Sequence, residues 1–326
     1  MKDYTNYRKY LEPFYGEVAP WIAIGEPQAM DFKNPGVWRH RENLETIAAF
    51  TALYKPLCCY EPMMRIKITD KTVIRDGYPI HVRIYHPEGE GPFPIMVFYH
   101  GGGWCMNSVE VYDHIPRYFA KFGGMVVVSV DYRLAPENPY PAGMEDAYAA
   151  LCWTAENAES FKGDKSRLVV CGDSAGGNLS AVMCLVTRDR KGPAIHGQIL
   201  IYPATILNMA SLKTKSAERY AKGYFLDLDG GSDQPMPYCT DPAQLLEPYV
   251  SPMLDDSLKG LPKACFISAE CDPILDQALM YAARLEDEGV QVEYHLYEGA
   301  IHAFINRPYQ QTFEAFHAII NFVKTI

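Results

Sequence analysis

The sequence predicts an α/β fold, with a mainly parallel central sheet and helices on both faces. Two observations carry that prediction. Continuous apolar runs of strand length recur along the chain: "PIMVFYH", "MVVVSVDY", "RLVVCGDS", "GQILIYPA" and "KACFISAE". Runs that are apolar at every position suit strands buried on both faces of a parallel sheet. Helical patterns fall between them, in "EDAYAALCWTAENAESF", "NLSAVMCLVTRD" and "DQALMYAARLEDEG", and strand–helix alternation is the mark of a doubly wound sheet.

The elements follow in order. Residues 1–62 read as an N-terminal helical cap segment. There "NPGVWRHRENLETIAAFTALYKPL" takes helical spacing in its second half, with Trp, Leu, Ile and Phe on one side. Ahead of it, "YTNYRKYLEPFY" is an aromatic cluster able to close over a pocket. Residues 63–326 read as the main domain. It opens with "MRIKITD" and "HVRIYHP", whose alternation predicts an antiparallel pair. The rhythm breaks at about 205–248. There "SLKTKSAERYAKGYF" and the Asp-, Gly- and Pro-rich "DLDGGSDQPMPYCTDP" predict a second cap element and a loop. That loop faintly suggests a calcium site, but Ser232 stands where Gly is needed and Tyr238 where Glu is needed.

Composition narrows the function. A net charge of −10 with no basic stripe argues against a nucleic-acid partner. No segment approaches the roughly 20 apolar residues of a membrane span, and the N-terminus lacks the apolar core of a signal peptide. Nine scattered cysteines, among them Cys171, Cys184 and Cys265 inside apolar runs, read as free thiols of a cytoplasmic protein. His81 and His86 flank a strand without metal-ligand spacing, so no metal and no cofactor is expected.

The chemistry should sit beyond the carboxyl ends of the strands. "VVCGDSAGGNLSAVM" runs from strand to helix through Gly172, Asp173, Ser174, Ala175 and Gly176. This Gly-x-Ser-x-Gly in strand–turn–helix context is a nucleophile elbow. The plain alternative is a tight turn in which Ser174 only caps the helix. A serine nucleophile needs a base, and the base needs an orienting acid. Downstream strands present Glu270, Asp272 and Asp276, and then His302. Asp272 is favoured because it directly precedes Pro273 in the turn, whereas Glu270 belongs to the strand end and Asp276 to the helix start. Upstream, "VFYHGGGWCMNS" places His100, Gly101, Gly102, Gly103 and Trp104 after a strand. Bare backbone there can aim N–H groups at an oxyanion. Gly102 and Gly103, with Ala175, are the expected donors. A phosphate loop is excluded, since no G-x-x-x-x-G-K-[ST] is present.

With "HGGGW", "DYRLAPENPYPA", "GDSAGGNLS", "YVSPML", "AECDPILDQ" and "GAIHAF" in order along the chain, the sequence resembles the hormone-sensitive-lipase-like (bacterial family IV) carboxylesterases of the α/β-hydrolase superfamily. The resemblance implies a Ser174/Asp272/His302 triad, a three-donor oxyanion hole and an N-terminal helical cap over an acyl pocket. It also implies that Glu137 buttresses the site by hydrogen bonding and that Trp104 lines the pocket, with plain packing as the other reading of both. The polar "LDLDGGSDQPMPYCTDP" replaces a Trp/Phe-rich cap helix usual in the family. The expected activity is hydrolysis of short- to medium-chain acyl esters, with acetyl esters of sugars or xenobiotics as a subset. Amidase or arylformamidase chemistry on the same triad is the alternative within enzymes. A non-catalytic small-ligand receptor is the alternative outside them, and the intact triad argues against it. The last strand, "QVEYHLYEG", reads as an open edge through which two copies could pair.

Overall fold

The computed structural model describes residues 33–207, 214–227 and 237–326. The aromatic cluster at residues 4–15 and most of the polar loop, including Ser232, lie outside the described residues. Eight strands form one sheet: β1 (Lys67–Arg75), β2 (Tyr78–His86), β3 (Phe93–Tyr99), β4 (Val126–Asp131), β5 (Gly163–Asp173), β6 (Gly197–Ile201), β7 (Lys263–Cys271) and β8 (Val292–Ile301). Their order is β1-β2-β4-β3-β5-β6-β7-β8. β1 pairs antiparallel with β2, and β2 antiparallel with β4. Every pairing from β4 through β8 is parallel. The alternating segments thus form the exposed antiparallel end, and the continuous apolar runs form the buried parallel strands, as expected.

Both faces of the sheet are covered because each parallel strand offers apolar side chains to both. On one face lie α4 (Ala142–Asn157), α5 (Ala175–Arg190) and α7 (Leu275–Asp287), whose Leu151, Leu179 and Met280 pack with Val97, Val170 and Phe266. The other face carries α3 (His114–Gly123) and α8 (Gln310–Lys324), whose Phe119 and Phe316 pack with Phe98, Val127 and Ile267. α8 is held by Phe316, Ile319, Ile320 and Val323, a helical stripe that the sheet needs in order to bury its second face. Phe119 and Phe316 meet edge-on at 5.1 Å, a preferred aromatic geometry.

The N-terminal segment contributes α1 (Pro35–Tyr54) and α2 (Tyr60–Met64), so the expected boundary at residue 62 falls inside α2. α1 begins earlier than the helical spacing suggested, at a proline suited to the first turn. Arg39 docks it onto the main domain. Its Nε donates to the Cys105 carbonyl at 2.7 Å and its Nη2 to the Ala135 carbonyl at 3.1 Å. The same guanidinium forks onto both carboxylate oxygens of Glu137, at 3.2 and 2.9 Å. The second interrupted region contributes α6 (Lys215–Arg219) and a short 3-10 turn at Pro242–Leu246.

Glu137 is too exposed for the ion pair alone to contribute much; the carbonyl contacts and the packing of Arg39 dominate. Arg39→Ala is therefore expected to cost about 2 kcal/mol of stability in urea unfolding, and to speed proteolysis within α1. Arg39→Lys should lose most of the same energy, because an ammonium cannot form the fork.

Candidate active site

The turn between β5 and α5 sets the site. Gly176, in the first turn of α5, lies so close to β3 that a Cβ there would meet the Tyr99 carbonyl oxygen at 1.9 Å. Only glycine lets helix and strand approach this far. The chain must then reverse within one residue, and Ser174 takes φ 53° and ψ −114°. A non-glycine residue in such a region costs on the order of 1–3 kcal/mol. Its backbone is pinned in place: Ser174 N–H donates to Ile201 O at 2.9 Å, and Asn178 N–H donates to Ser174 O at 2.9 Å. The hydroxyl therefore stands at the start of α5, half-buried rather than packed away.

β7 and β8 are neighbours in the sheet, and Asp272 and His302 follow their last residues. His302 Nδ1 lies 2.7 Å from Asp272 Oδ2, and His302 Nε2 lies 2.9 Å from Ser174 Oγ. A carboxylate at Nδ1 selects the tautomer with its proton there. Nε2 then offers a lone pair to the serine hydroxyl. Asp272 is itself held by the Ile274 N–H at 2.9 Å and is fully buried. The other two acids are engaged elsewhere. Glu270 accepts from the Gly299 N–H at 2.7 Å, and Asp276 accepts from the Ser216 N–H at 3.0 Å.

The glycine loop after β3 lies beside this turn because β3 pairs directly with β5, Tyr99 opposite Gly172. Gly102 has φ +119°, and a Cβ there would meet the Met106 carbonyl at 2.6 Å. That carbonyl leaves no room for a side chain. Among the described residues, the N–H groups of Gly102 and Gly103 donate to no backbone carbonyl. The Ala175 N–H opens α5, where the positive end of the helix favours an anion.

Asp173 ties loop and elbow together. Its buried carboxylate accepts from the Gly101 N–H at 2.8 Å, the Tyr112 hydroxyl at 2.9 Å and the Tyr202 hydroxyl at 3.3 Å. Burial nevertheless pushes its pKa up to about 6, since these donors only partly replace lost hydration. His100 is fully buried, with its ring stacked on Tyr132 at 4.5 Å, and its Nδ1 donates to the Gly101 carbonyl at 2.8 Å. Burial lowers its pKa to about 4, so it serves as a neutral brace. Trp104 stacks on Tyr238 at 4.5 Å and is buried. Glu137 contacts Arg39 of α1, which also holds its pKa below the usual carboxylate range.

Tyr112, Tyr202 and Arg39 were not singled out by the sequence. Tyr202 follows β6 at a strand carboxyl end, which was a usable signal; its ring also packs on His302 at 4.7 Å. Tyr112 lies in a loop, and Arg39 acts across nearly a hundred residues of sequence; neither stands out locally.

The family described as alpha/beta hydrolase fold matches residues 96–306. The chain is 40% identical to the carboxylesterase NlhH of Mycobacterium tuberculosis over 251 residues, covering 76% of this chain and 78% of that one. It is 37% identical to an arylesterase of Saccharolobus solfataricus over 246 residues, 75% and 77% of the two chains. A solved esterase of Pyrobaculum calidifontis superposes with a TM-score of 0.78 at 36% identity, covering 91% of this chain and 95% of that one. The glycine loop, the elbow, Asp272 and His302 all lie within the matched span, and the chain belongs to the hormone-sensitive-lipase-like branch of the α/β-hydrolase fold family.

Proposed function

We propose that this chain is a serine carboxylesterase. One observation carries the reading: His302 bridges the Ser174 hydroxyl, at 2.9 Å, and the Asp272 carboxylate, at 2.7 Å. Ser174 Oγ attacks the ester carbonyl as His302 Nε2 takes its proton. The carbonyl oxygen becomes an oxyanion, held by the N–H groups of Gly102, Gly103 and Ala175. His302 then gives the proton to the departing alkoxide, and the acyl group stays on Ser174. Water, deprotonated by His302, attacks the acyl carbon; collapse releases the acid and returns the proton to Ser174. Asp272 holds the imidazole tautomer and balances its charge. Asp173 holds the Gly101 end of the loop against the elbow.

In this reading α1, with the described parts of the 205–248 region, α6 and the turn at Pro242–Leu246, forms the cap over the acyl side. The acyl pocket is taken to be small, with Trp104, which follows Gly103 and stacks on Tyr238 at 4.5 Å, as its proposed wall. Short- to medium-chain esters follow, with acetyl esters of sugars or xenobiotics as the finer proposal. Nine free cysteines fit a cytoplasmic setting. No helix of the described residues is long and apolar enough to cross a membrane. β8 ends the sheet, and its free edge is the proposed contact of a homodimer.

Ser174→Ala is expected to fold normally and to lose about 10⁴-fold or more in kcat on p-nitrophenyl acetate, and His302→Ala about as much. Asp272→Asn should also cost about 10⁴-fold through the wrong tautomer. Glu270→Gln should cost less than about tenfold, and a reversed order would reassign the acid. On a p-nitrophenyl ester ladder, acetate to butyrate should exceed dodecanoate by at least about tenfold in kcat/KM; a maximum at dodecanoate would contradict the small pocket.

A further inference from the structure

A second cluster of chemically competent side chains lies on the sheet, away from the triad. Cys265 on β7 stands directly opposite Glu293 on β8, and His295 follows two residues later on the same face. Their ligand atoms, one thiol sulfur, one carboxylate oxygen and one imidazole nitrogen, all lie within 4.8 Å of one another. His295 Nε2 is 3.8 Å from Glu293 Oε2. It is shielded from solvent and has no hydrogen-bond partner. An imidazole nitrogen buried in this way forfeits hydration without a hydrogen bond in exchange. The neighbouring cation on this face does not fill the gap. Lys263, two residues before Cys265, reaches instead to the Thr325 carbonyl at 2.8 Å and its hydroxyl at 2.6 Å.

We propose that Cys265, Glu293 and His295 form a binding site for a divalent cation of the zinc class, bridging β7 and β8. The donor set is the argument. Thiolate plus imidazole selects a borderline-soft ion over magnesium or calcium, which prefer all-oxygen shells. Three protein ligands leave a fourth tetrahedral position for water. Zinc bonds of about 2.0–2.3 Å require the three ligand atoms to draw in by a modest amount. Glu293 and His295 can supply that movement, since both sit on the edge strand and are only partly buried. On binding, the Cys265 thiol proton passes to water as the sulfur–metal bond forms. Linear spacing hid the site: it is assembled by strand pairing, and the sequence reading expected no metal.

The position has a consequence. β7 leads to Asp272 and β8 leads to His302. A cation joining the two strands braces the frame that carries the acid and the base, at the end of the sheet remote from both. It acts as a structural clip, distinct from the hydrolytic chemistry.

The test is Zn2+ binding by competition with a chromophoric chelator, alongside thermal unfolding of the full chain with and without Zn2+. Wild type should bind one equivalent with micromolar or tighter affinity and unfold at higher temperature when loaded. Cys265→Ala, and independently the edge-strand variant His295→Gln, should each weaken binding by at least about tenfold and abolish the thermal shift. Co2+ loading should give a thiolate charge-transfer band in wild type that Cys265→Ala lacks. Unchanged stoichiometry and affinity in His295→Gln, or binding that disappears only in His302→Ala, would overturn the assignment.

Discussion

The constraint on which the site depends is the approach of α5 to β3. No side chain fits between Gly176 and the Tyr99 carbonyl, where a Cβ would sit 1.9 Å away. Because the helix is pressed this close, the link from β5 has one residue in which to turn, and that residue is Ser174. The same approach brings the first N–H groups of α5 beside the glycine loop that leaves β3. The elbow and the proposed oxyanion donors are two results of one packing contact. Asp173 fastens them, taking its Gly101, Tyr112 and Tyr202 bonds from three separate parts of the chain.

The other half of the site rests on parallel pairing. β7 and β8 run side by side in one direction, so the residues after them emerge together. Asp272 and His302 are thereby adjacent without any loop having to search for its partner. The ring of Tyr202, from the end of β6, completes the wall against His302. The strands fix the reacting groups, while α1, α6 and the turn at Pro242–Leu246 are the segments proposed to select the substrate. Arg39 joins the two regions, since one guanidinium holds Cys105 of the glycine-loop segment and Glu137 together.

Much of this was legible in the sequence, for identifiable reasons. Buried parallel strands are apolar at every position, so β3 to β7 stand out as runs. The elbow and glycine loop are local motifs whose spacing is set by backbone geometry. Asp272 stands apart from Glu270 and Asp276 in the sequence by its place in a turn before Pro273. The parts that were not legible depend on contacts across the chain. α8 has a helical stripe in Phe316, Ile319, Ile320 and Val323, but it follows the last strand and carries no motif that marks it. The resemblance implies that Glu137 buttresses the site by hydrogen bonding; its partner is Arg39 of α1, which no local pattern names. Cys265 read as a small core residue because Glu293 and His295 meet it only through strand register.

The most direct test of the proposed mechanism is stoichiometric reaction with diethyl p-nitrophenyl phosphate, followed by mass spectrometry of the labelled peptide. One equivalent of p-nitrophenol released, with a single diethylphosphoryl group on Ser174, is the expected result. Release without a label on Ser174, or a label on another residue, would contradict the assignment of Ser174 as the nucleophile activated by His302 and Asp272.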